Sequence, residues 1–167
     1  METKTRVIIA DDHRLVRLGF RRLLEDAPDL MLVGEADDGE QAVRQSEALS
    51  PDVVVMDCAM PGLSGIDATR RILERAPRVA VLMLSMHAEH TLVRQALRAG
   101  ARGYILKSAL DLDLAAAVRR AASGETFKNV FKSIYSMDLE TFEIGFRAYA
   151  VMGKTTAQDN VIQSYAK

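Results

Sequence analysis

Five short apolar runs alternate with segments of helical period over residues 1–124, and this alternation constrains the fold more than any other feature of the sequence. The runs are rich in valine, isoleucine and leucine, as is typical of strands buried on both faces of a parallel sheet. They lie at 7–10, 30–33, 53–56, 79–84 and 103–106. Helical candidates between and after them lie at about 13–26, 39–49, 65–75, 89–99 and 111–123.

This order of elements predicts an α/β fold. We expect a doubly wound, five-stranded parallel sheet of order 2-1-3-4-5 with five helices, a flavodoxin-like arrangement. In the first helix, Leu15, Leu18 and Leu23 are expected to face the sheet. Gly100 follows the fourth helix, where a left-handed C-cap would end it.

Composition narrows the functional classes. The chain has 167 residues, 49% of them hydrophobic and 27% charged, so it can bury a core and remain soluble. No apolar stretch approaches a membrane span and the N-terminus does not resemble a secretory signal, so a cytoplasmic location is expected. The lone Cys58 rules out an internal disulfide and a cysteine-based zinc site. With 22 basic and 23 acidic residues, the net charge does not favour DNA binding.

Composition also changes near Gly124. Residues 1–124 hold 15 of the 16 arginines, whereas the last 43 residues hold seven of the nine phenylalanines and tyrosines. We therefore expect a main domain over 1–124 and a separate tail over 125–167. Two apolar stripes of helical period predict two helices in the tail, packed on the main domain or on another chain. The stripes are Phe127, Val130, Phe131, Ile134 and Tyr135, then Leu139, Phe142, Phe146 and Tyr149. A disordered tail, or one added by gene fusion or frame change, remains an alternative.

Polar side chains follow four of the five runs: Asp11 and Asp12, Asp57, Ser85 and Lys107. Because parallel strands share one carboxyl edge, where ligands bind at the reversal of strand order, we expect these side chains to meet there. Carboxylates in contact repel by about 1 kcal/mol per pair in water and about 4 kcal/mol at an effective dielectric constant near 20. A divalent cation with oxygen ligands would offset that repulsion, and Mg²⁺ also binds phosphate oxygens.

Asp57 is the best nucleophile at this edge. It ends the central strand and precedes a loop of small residues, and carboxylates form aspartyl phosphates. Lys107 adds a positive charge and Ser85 a hydroxyl donor, which suits an incoming phosphoryl group.

Simpler interpretations stand beside this one. Asp11 and Asp12 could merely cap a helix, as we expect Asp37 and Asp38 to do. The histidines show no metal-site spacing that would bring them together with the acids or other ligands: His13 and His90 are expected on the surface, and His87 could border the site. Cys58 is expected to fill space.

Four segments resemble response-regulator receiver domains of the NarL/FixJ class. They are Ile-Ile-Ala-Asp-Asp-His at 8–13, Pro-Asp-Val-Val-Val-Met-Asp at 51–57 with Met-Pro-Gly at 60–62, Leu-Ser-Met-His at 84–87, and Ala-Gly-Ala-Arg-Gly-Tyr-Ile-Leu-Lys at 99–107. The resemblance covers about residues 5–124.

The resemblance implies a phosphoacceptor switch of a two-component pathway rather than an enzyme. Asp57 would accept a phosphoryl group from a sensor histidine kinase. Ser85 and Tyr104 would be the switch residues, with Tyr104 turning inward, and Lys107 would contact the phosphoryl oxygens. Mg²⁺ would be held by Asp11 or Asp12, by Asp57 and by the backbone carbonyl of Ala59. Whether the chain forms a homodimer is left undecided.

Members of this class normally continue into a helix-turn-helix domain, which the tail does not match. It lacks the Leu-Thr-x-Arg-Glu and Val-Lys-x-His segments of that domain, and its five basic and five acidic residues balance. A DNA-binding transcriptional regulator with an unusual or truncated output region is the alternative function. A phosphatase of the haloacid-dehalogenase type would need an aspartate where Ala59 stands.

Overall fold

The computed structural model describes residues 3–87, 89–109, 114–135 and 140. The strands are β1 (Thr5–Ala10), β2 (Leu30–Ala36), β3 (Val53–Asp57), β4 (Ala80–Ser85) and β5 (Gly103–Leu106). The helices are α1 (Arg14–Glu25), α2 (Gly39–Leu49), α3 (Gly65–Arg75), α4 (His90–Ala99), α5 (Leu114–Ala122) and α6 (Phe127–Tyr135), with a 3₁₀ turn at Lys107–Ala109. Among these helices, none is long and apolar enough to cross a bilayer.

The strands form one parallel sheet of order β2-β1-β3-β4-β5, which confirms the predicted fold. Successive residues of a strand point to opposite faces, and both faces of the sheet are covered. Ile8 and Val54 belong to the core with α2, α3 and α4, while Val7 and Val55 belong to the core with α1 and α5. This two-sided burial explains why the strands are continuous apolar runs.

The predicted inward face of α1 is wrong. Leu15 is 82% exposed, and Leu18 and Leu23 are about two-fifths exposed, at 39% and 41%. Phe20 and Leu24 are buried instead, and they share one helical stripe at a spacing of four residues. Several adjacent faces of α1 carry apolar side chains, so the contact with the sheet decides which face is buried.

Two predicted caps are confirmed. Gly100 ends α4 in the left-handed conformation, with φ +97°, which glycine adopts without a steric penalty. Asp38 precedes α2, and its carboxylate accepts the backbone N–H of Gln41 at 2.7 Å. Asp38 therefore has the capping role that the sequence indicates.

The first predicted helix of the tail forms and packs on the sheet. In α6, Phe127, Val130 and Phe131 are at most 6% exposed. Val130 lies against Gly103 of the edge strand β5, where a β-carbon would come within 2.9 Å of its side chain. Helix α6 therefore packs against the edge strand β5, next to α5, and covers that edge of the sheet. The second predicted stripe, at 139–149, lies outside the described residues except for residue 140.

Candidate phosphoacceptor site

The carboxyl ends of the strands bring the predicted polar residues together. Asp11 directly follows β1, Asp57 ends the adjacent β3, Ser85 ends β4, and Lys107 directly follows β5. The edge lies where strand order reverses between β1 and β3. Asp11, Asp57 and Ser85 are each at most 2% exposed, so this is a recessed polar site rather than a solvated rim.

Lys107 joins two of the carboxylates. Its Nζ lies 2.7 Å from Asp11 Oδ2 and 3.1 Å from Asp57 Oδ2, and its side chain is 6% exposed. Although both oxygens lie at ion-pair distance from the ammonium, neither accepts a well-aligned hydrogen bond from the described residues. One ammonium therefore faces two buried carboxylates, so the negative charge at this site exceeds the positive charge.

The environment shifts the pKa of both partners. Burial raises the pKa of Asp57, the Asp11 carboxylate adds to the increase, and Lys107 opposes it. Burial acts to lower the pKa of Lys107, but the ion pairs with Asp11 and Asp57 outweigh burial and raise it. Lys107 is consequently charged at neutral pH, and an ionised Asp57 is held close to a second negative charge.

The remaining Asp57 oxygen contacts the loop that follows the strand. Asp57 Oδ1 accepts the backbone N–H of Ala59 at 3.3 Å. The intervening Cys58 is buried and its N–H donates to the carbonyl of Leu84 at 2.8 Å. Burial and the Asp57 charge raise the pKa of the Cys58 thiol to about 12, so this thiol stays neutral and fills space, as the sequence suggests.

The predicted switch residues, Ser85 and Tyr104, both form hydrogen bonds with the backbone of His87. Ser85 Oγ accepts the N–H of His87 at 3.0 Å, and Tyr104 Oη donates to the carbonyl oxygen of His87 at 2.6 Å. Tyr104 is buried at 1% exposure, so its ring already points inward. The sequence placed His87 at the border of the site but gave no sign that its backbone connects β4 to β5.

His13 corrects another expectation. Its side chain is 64% exposed, as expected, yet its Nδ1 lies 3.1 Å from Asp11 Oδ1 and 3.0 Å from Asp12 Oδ1. One potential ligand atom from each of Asp11, Asp12, His13 and Asp57 falls within a 4.8 Å cluster. The expectation that no histidine converges with the acids is therefore wrong for His13. The separations depend on the turn between β1 and α1 and leave no spacing signal in the sequence.

The residues present fit a hard divalent cation. Asp11, Asp12 and Asp57 offer carboxylate oxygens, two of the three are buried, and their negative charge exceeds the single positive charge of Lys107. Asp12 is partly exposed, at 32%, so one side of the cluster stays open to water and ligands.

The comparisons with known proteins agree with this geometry. Residues 7–119 match the family described as the response regulator receiver domain. The chain belongs to the response-regulator receiver family. Receivers of this family are phosphoacceptor switches of two-component systems and bind Mg²⁺ at an acidic pocket.

Individual relatives support the assignment. The chain is 43% identical over 121 residues to response regulator UvrY of Escherichia coli O6:H1, covering 72% of this chain and 56% of UvrY. It is 38% identical over 157 residues to the transcriptional regulatory protein DegU of Brevibacillus brevis, covering 87% of this chain and 66% of DegU. The chain thus spans little more than half of the first relative and two thirds of the second.

Solved structures of receiver domains superpose on this chain. The signal receiver domain of NarL from Mycobacterium tuberculosis superposes with a TM-score of 0.71 at 37% identity, covering 74% of this chain and 99% of that domain. The response regulator domain of CheB from Thermotoga maritima gives a TM-score of 0.59 at 32% identity, covering 72% and 90%.

Proposed function

We propose that Asp57 accepts a phosphoryl group from a phosphohistidine of a sensor histidine kinase and that the added charge switches a protein-interaction surface. One observation carries the proposal: the Asp57 carboxylate lies at the end of the central strand, paired with Lys107 beside the buried Asp11. An Asp57 oxygen would attack the phosphorus, the P–N bond would break, and the departing imidazole would keep the bonding electrons. Lys107 would then contact the phosphoryl oxygens.

Asp11, Asp12, Asp57 and the backbone carbonyl of Ala59 are proposed to hold Mg²⁺. When bound, the ion would offset the carboxylate charges and bind oxygens of the transferred group. The support is the surplus of negative charge over the single ammonium of Lys107 and the clustering of one ligand atom from each of these aspartates within 4.8 Å. Ala59 offers no side-chain acid or base two residues after Asp57, so we propose a switch rather than an enzyme that turns over phosphate esters.

The contacts of Ser85 and Tyr104 suggest how the signal leaves the site. A phosphoryl group adds a charge of about −1.5 to −2 and strong acceptor oxygens next to Ser85. If the Ser85 hydroxyl turns to donate to one of them, its acceptor contact with the His87 N–H changes. Because Tyr104 holds the carbonyl of the same residue, the β4–α4 loop and Tyr104 would respond together.

The partners follow from the family. Response regulators receive phosphoryl groups from sensor kinases and often dimerise, and we propose the same partners here. A transcriptional regulator is the second candidate. The DegU alignment covers a larger share of the chain than residues 1–124 represent, so it includes part of the tail. A salt-dependent gel shift on promoter DNA would support this candidate, whereas no shift at low salt would argue against it.

Labelling of variants tests the main proposal. The purified chain is incubated with acetyl phosphate, with and without Mg²⁺, and its intact mass is measured. We expect a Mg²⁺-dependent gain of one phosphoryl group in the wild type and in the control Asp26→Asn, whose exposed side chain lies at the opposite end of α1. Asp57→Asn should gain none. Stoichiometric labelling of Asp57→Asn would refute the assignment.

A further inference from the structure

Arg17 donates a hydrogen bond to the backbone of a proposed metal ligand. Its Nη1 lies 2.6 Å from the carbonyl oxygen of Asp11, in a partly buried contact. The backbone N–H of Arg17 also donates to the carbonyl of His13 at 3.2 Å, a hydrogen bond that begins α1. Arg17 therefore closes the turn between β1 and α1 by two hydrogen bonds, one from its backbone and one from its side chain.

The stability of α1 does not account for an arginine at this position. Arg17 is the fourth residue of the helix, and the first turn holds no acidic side chain. The N-terminal end of a helix carries a partial positive charge, so a cation near it is unfavourable. The guanidinium instead lies on the Asp11 carbonyl, where a charged donor makes a stronger hydrogen bond than a neutral one.

The peptide unit that joins Asp11 to Asp12 decides where the second carboxylate lies. Asp11 is fully buried, and Lys107 Nζ lies 2.7 Å from its Oδ2, so packing and the ion pair hold its side chain. The Asp12 side chain is 32% exposed, and its position depends on the backbone that carries it. Because a peptide unit is planar, fixing the Asp11 carbonyl also fixes the orientation of the Asp12 N–H and restricts where the Asp12 carboxylate can lie.

We infer that Arg17 is a positioning residue of the proposed Mg²⁺ site. Its hydrogen bond to the Asp11 carbonyl holds the two adjacent carboxylates in the arrangement in which one oxygen of each belongs to the 4.8 Å cluster. Arg17 acts through the backbone rather than as a ligand, because a guanidinium has no acceptor atom for a metal. The inference rests on the proposed function and assigns to Arg17 a part in the affinity for the ion, not in the transfer of the phosphoryl group.

Calorimetric titration of the full chain with MgCl₂ tests the inference. Arg17→Met keeps much of the apolar stem but removes the donor, and we expect Mg²⁺ to bind roughly tenfold or more weakly, as is typical when an outer contact of a metal site is lost. Arg14→Met is the matched control, because Arg14 is an exposed arginine in the same turn of α1. Removing a positive charge by itself favours the binding of a cation, so Arg14→Met should bind Mg²⁺ at least as tightly as the wild type.

Two further measurements separate positioning from a general loss of structure or of reactivity. Arg17→Lys keeps a cationic donor without the planar guanidinium, so its Mg²⁺ affinity should lie between those of the wild type and Arg17→Met. Labelling of Asp57 by acetyl phosphate should need more Mg²⁺ in Arg17→Met, yet its rate should approach that of the wild type at saturating Mg²⁺. Urea unfolding without Mg²⁺ checks that each variant is folded; if Arg17→Met is not, Arg17→Lys takes its place.

Wild-type or tighter Mg²⁺ binding in Arg17→Met would overturn the inference, since the residue would then act only as a charge. An equal loss in Arg14→Met, or a labelling rate of Arg17→Met that stays low at saturating Mg²⁺, would overturn it too. If Arg17→Met does not fold, wild-type affinity in Arg17→Lys has the same consequence. These results leave the proposed function standing, whereas a wild-type chain that binds no Mg²⁺ would contradict both.

Discussion

Gly65 lies so close to Asp57 that no side chain fits between them: a β-carbon at Gly65 would come within 1.8 Å of the Asp57 carbonyl oxygen. The amide of Gly65 also donates to the carbonyl of Cys58 at 3.1 Å. The first turn of α3 therefore rests directly on the end of β3, and this contact fixes the backbone that carries the proposed phosphoacceptor.

Gly65→Ala should destabilise the fold because backbone, rather than a flexible side chain, must move. We expect a loss of about 3 kcal/mol in the free energy of unfolding, measured with urea, together with weaker labelling of Asp57. Gly19→Ala is the control. Gly19 lies inside α1, and a β-carbon added there would meet nothing within 4 Å, so alanine should stabilise the chain by about 0.5–1 kcal/mol. Equal free energies of unfolding for Gly65→Ala and Gly19→Ala would contradict the importance of the close contact between Gly65 and Asp57.

Asp57→Asn should raise the melting temperature of the metal-free chain at neutral pH. Burial and Asp11 raise the pKa of Asp57, so the folded state favours its neutral form. That preference contributes stability below the unfolded pKa and is lost as the pH rises through the folded pKa, which leaves the ionised group unfavourable at neutral pH. Added Mg²⁺ should stabilise the wild type by binding the folded state and should stabilise this variant much less. An equal Mg²⁺ response would exclude Asp57 as a ligand.

The carboxylate of Asp29 should govern how the free energy of unfolding changes with pH in acid. Asp29 forms two hydrogen bonds of 2.7 Å with the guanidinium of Arg119, which lower the Asp29 pKa to about 2. A lowered pKa stabilises the fold above the unfolded value near 3.8, and this contribution is lost as the pH falls toward 2. Urea unfolding from pH 5 to pH 2 should show a shallower pH dependence for Asp29→Asn than for the wild type. Because the pair is exposed, the difference should shrink in high salt. Identical profiles at low salt would contradict this role.

Helix α6 should contribute to the stability of the receiver. Phe131 is 1% exposed, and its ring stacks on that of Phe127 at a centroid distance of 6.0 Å. Truncation of a buried phenylalanine to alanine typically costs about 3–5 kcal/mol. We therefore expect Phe131→Ala to lower the free energy of unfolding by about 3 kcal/mol, whereas Lys132→Ala on the exposed face should change it little. Unchanged unfolding of Phe131→Ala would mean that α6 is dispensable.

The sheet and its polar edge could be predicted because each leaves a local signal. A continuous apolar run marks a strand buried on both faces, and a polar residue at its end marks the carboxyl edge. Asp57 and Lys107 were identified in this way, although 50 residues separate them along the chain.

Other features depend on three-dimensional contacts and could not be predicted. The inward face of α1 was predicted wrongly because Leu15 and Phe20 are both apolar, and only packing on the sheet decides that Phe20 is buried. The contact between His13 and Asp12 depends on the conformation of a short turn. The link between Ser85 and Tyr104 passes through the backbone of His87, where the side-chain type carries no information.

Chemical trapping of the phosphorylated residue tests the central claim most directly. The wild-type chain is phosphorylated with acetyl phosphate and Mg²⁺, an acyl phosphate is reduced with borohydride to leave homoserine, and the modified position is found by peptide mass spectrometry. We expect homoserine at position 57 and none in a sample prepared without Mg²⁺. Homoserine at another aspartate, with position 57 unmodified, would contradict the assignment of Asp57 as the phosphoacceptor.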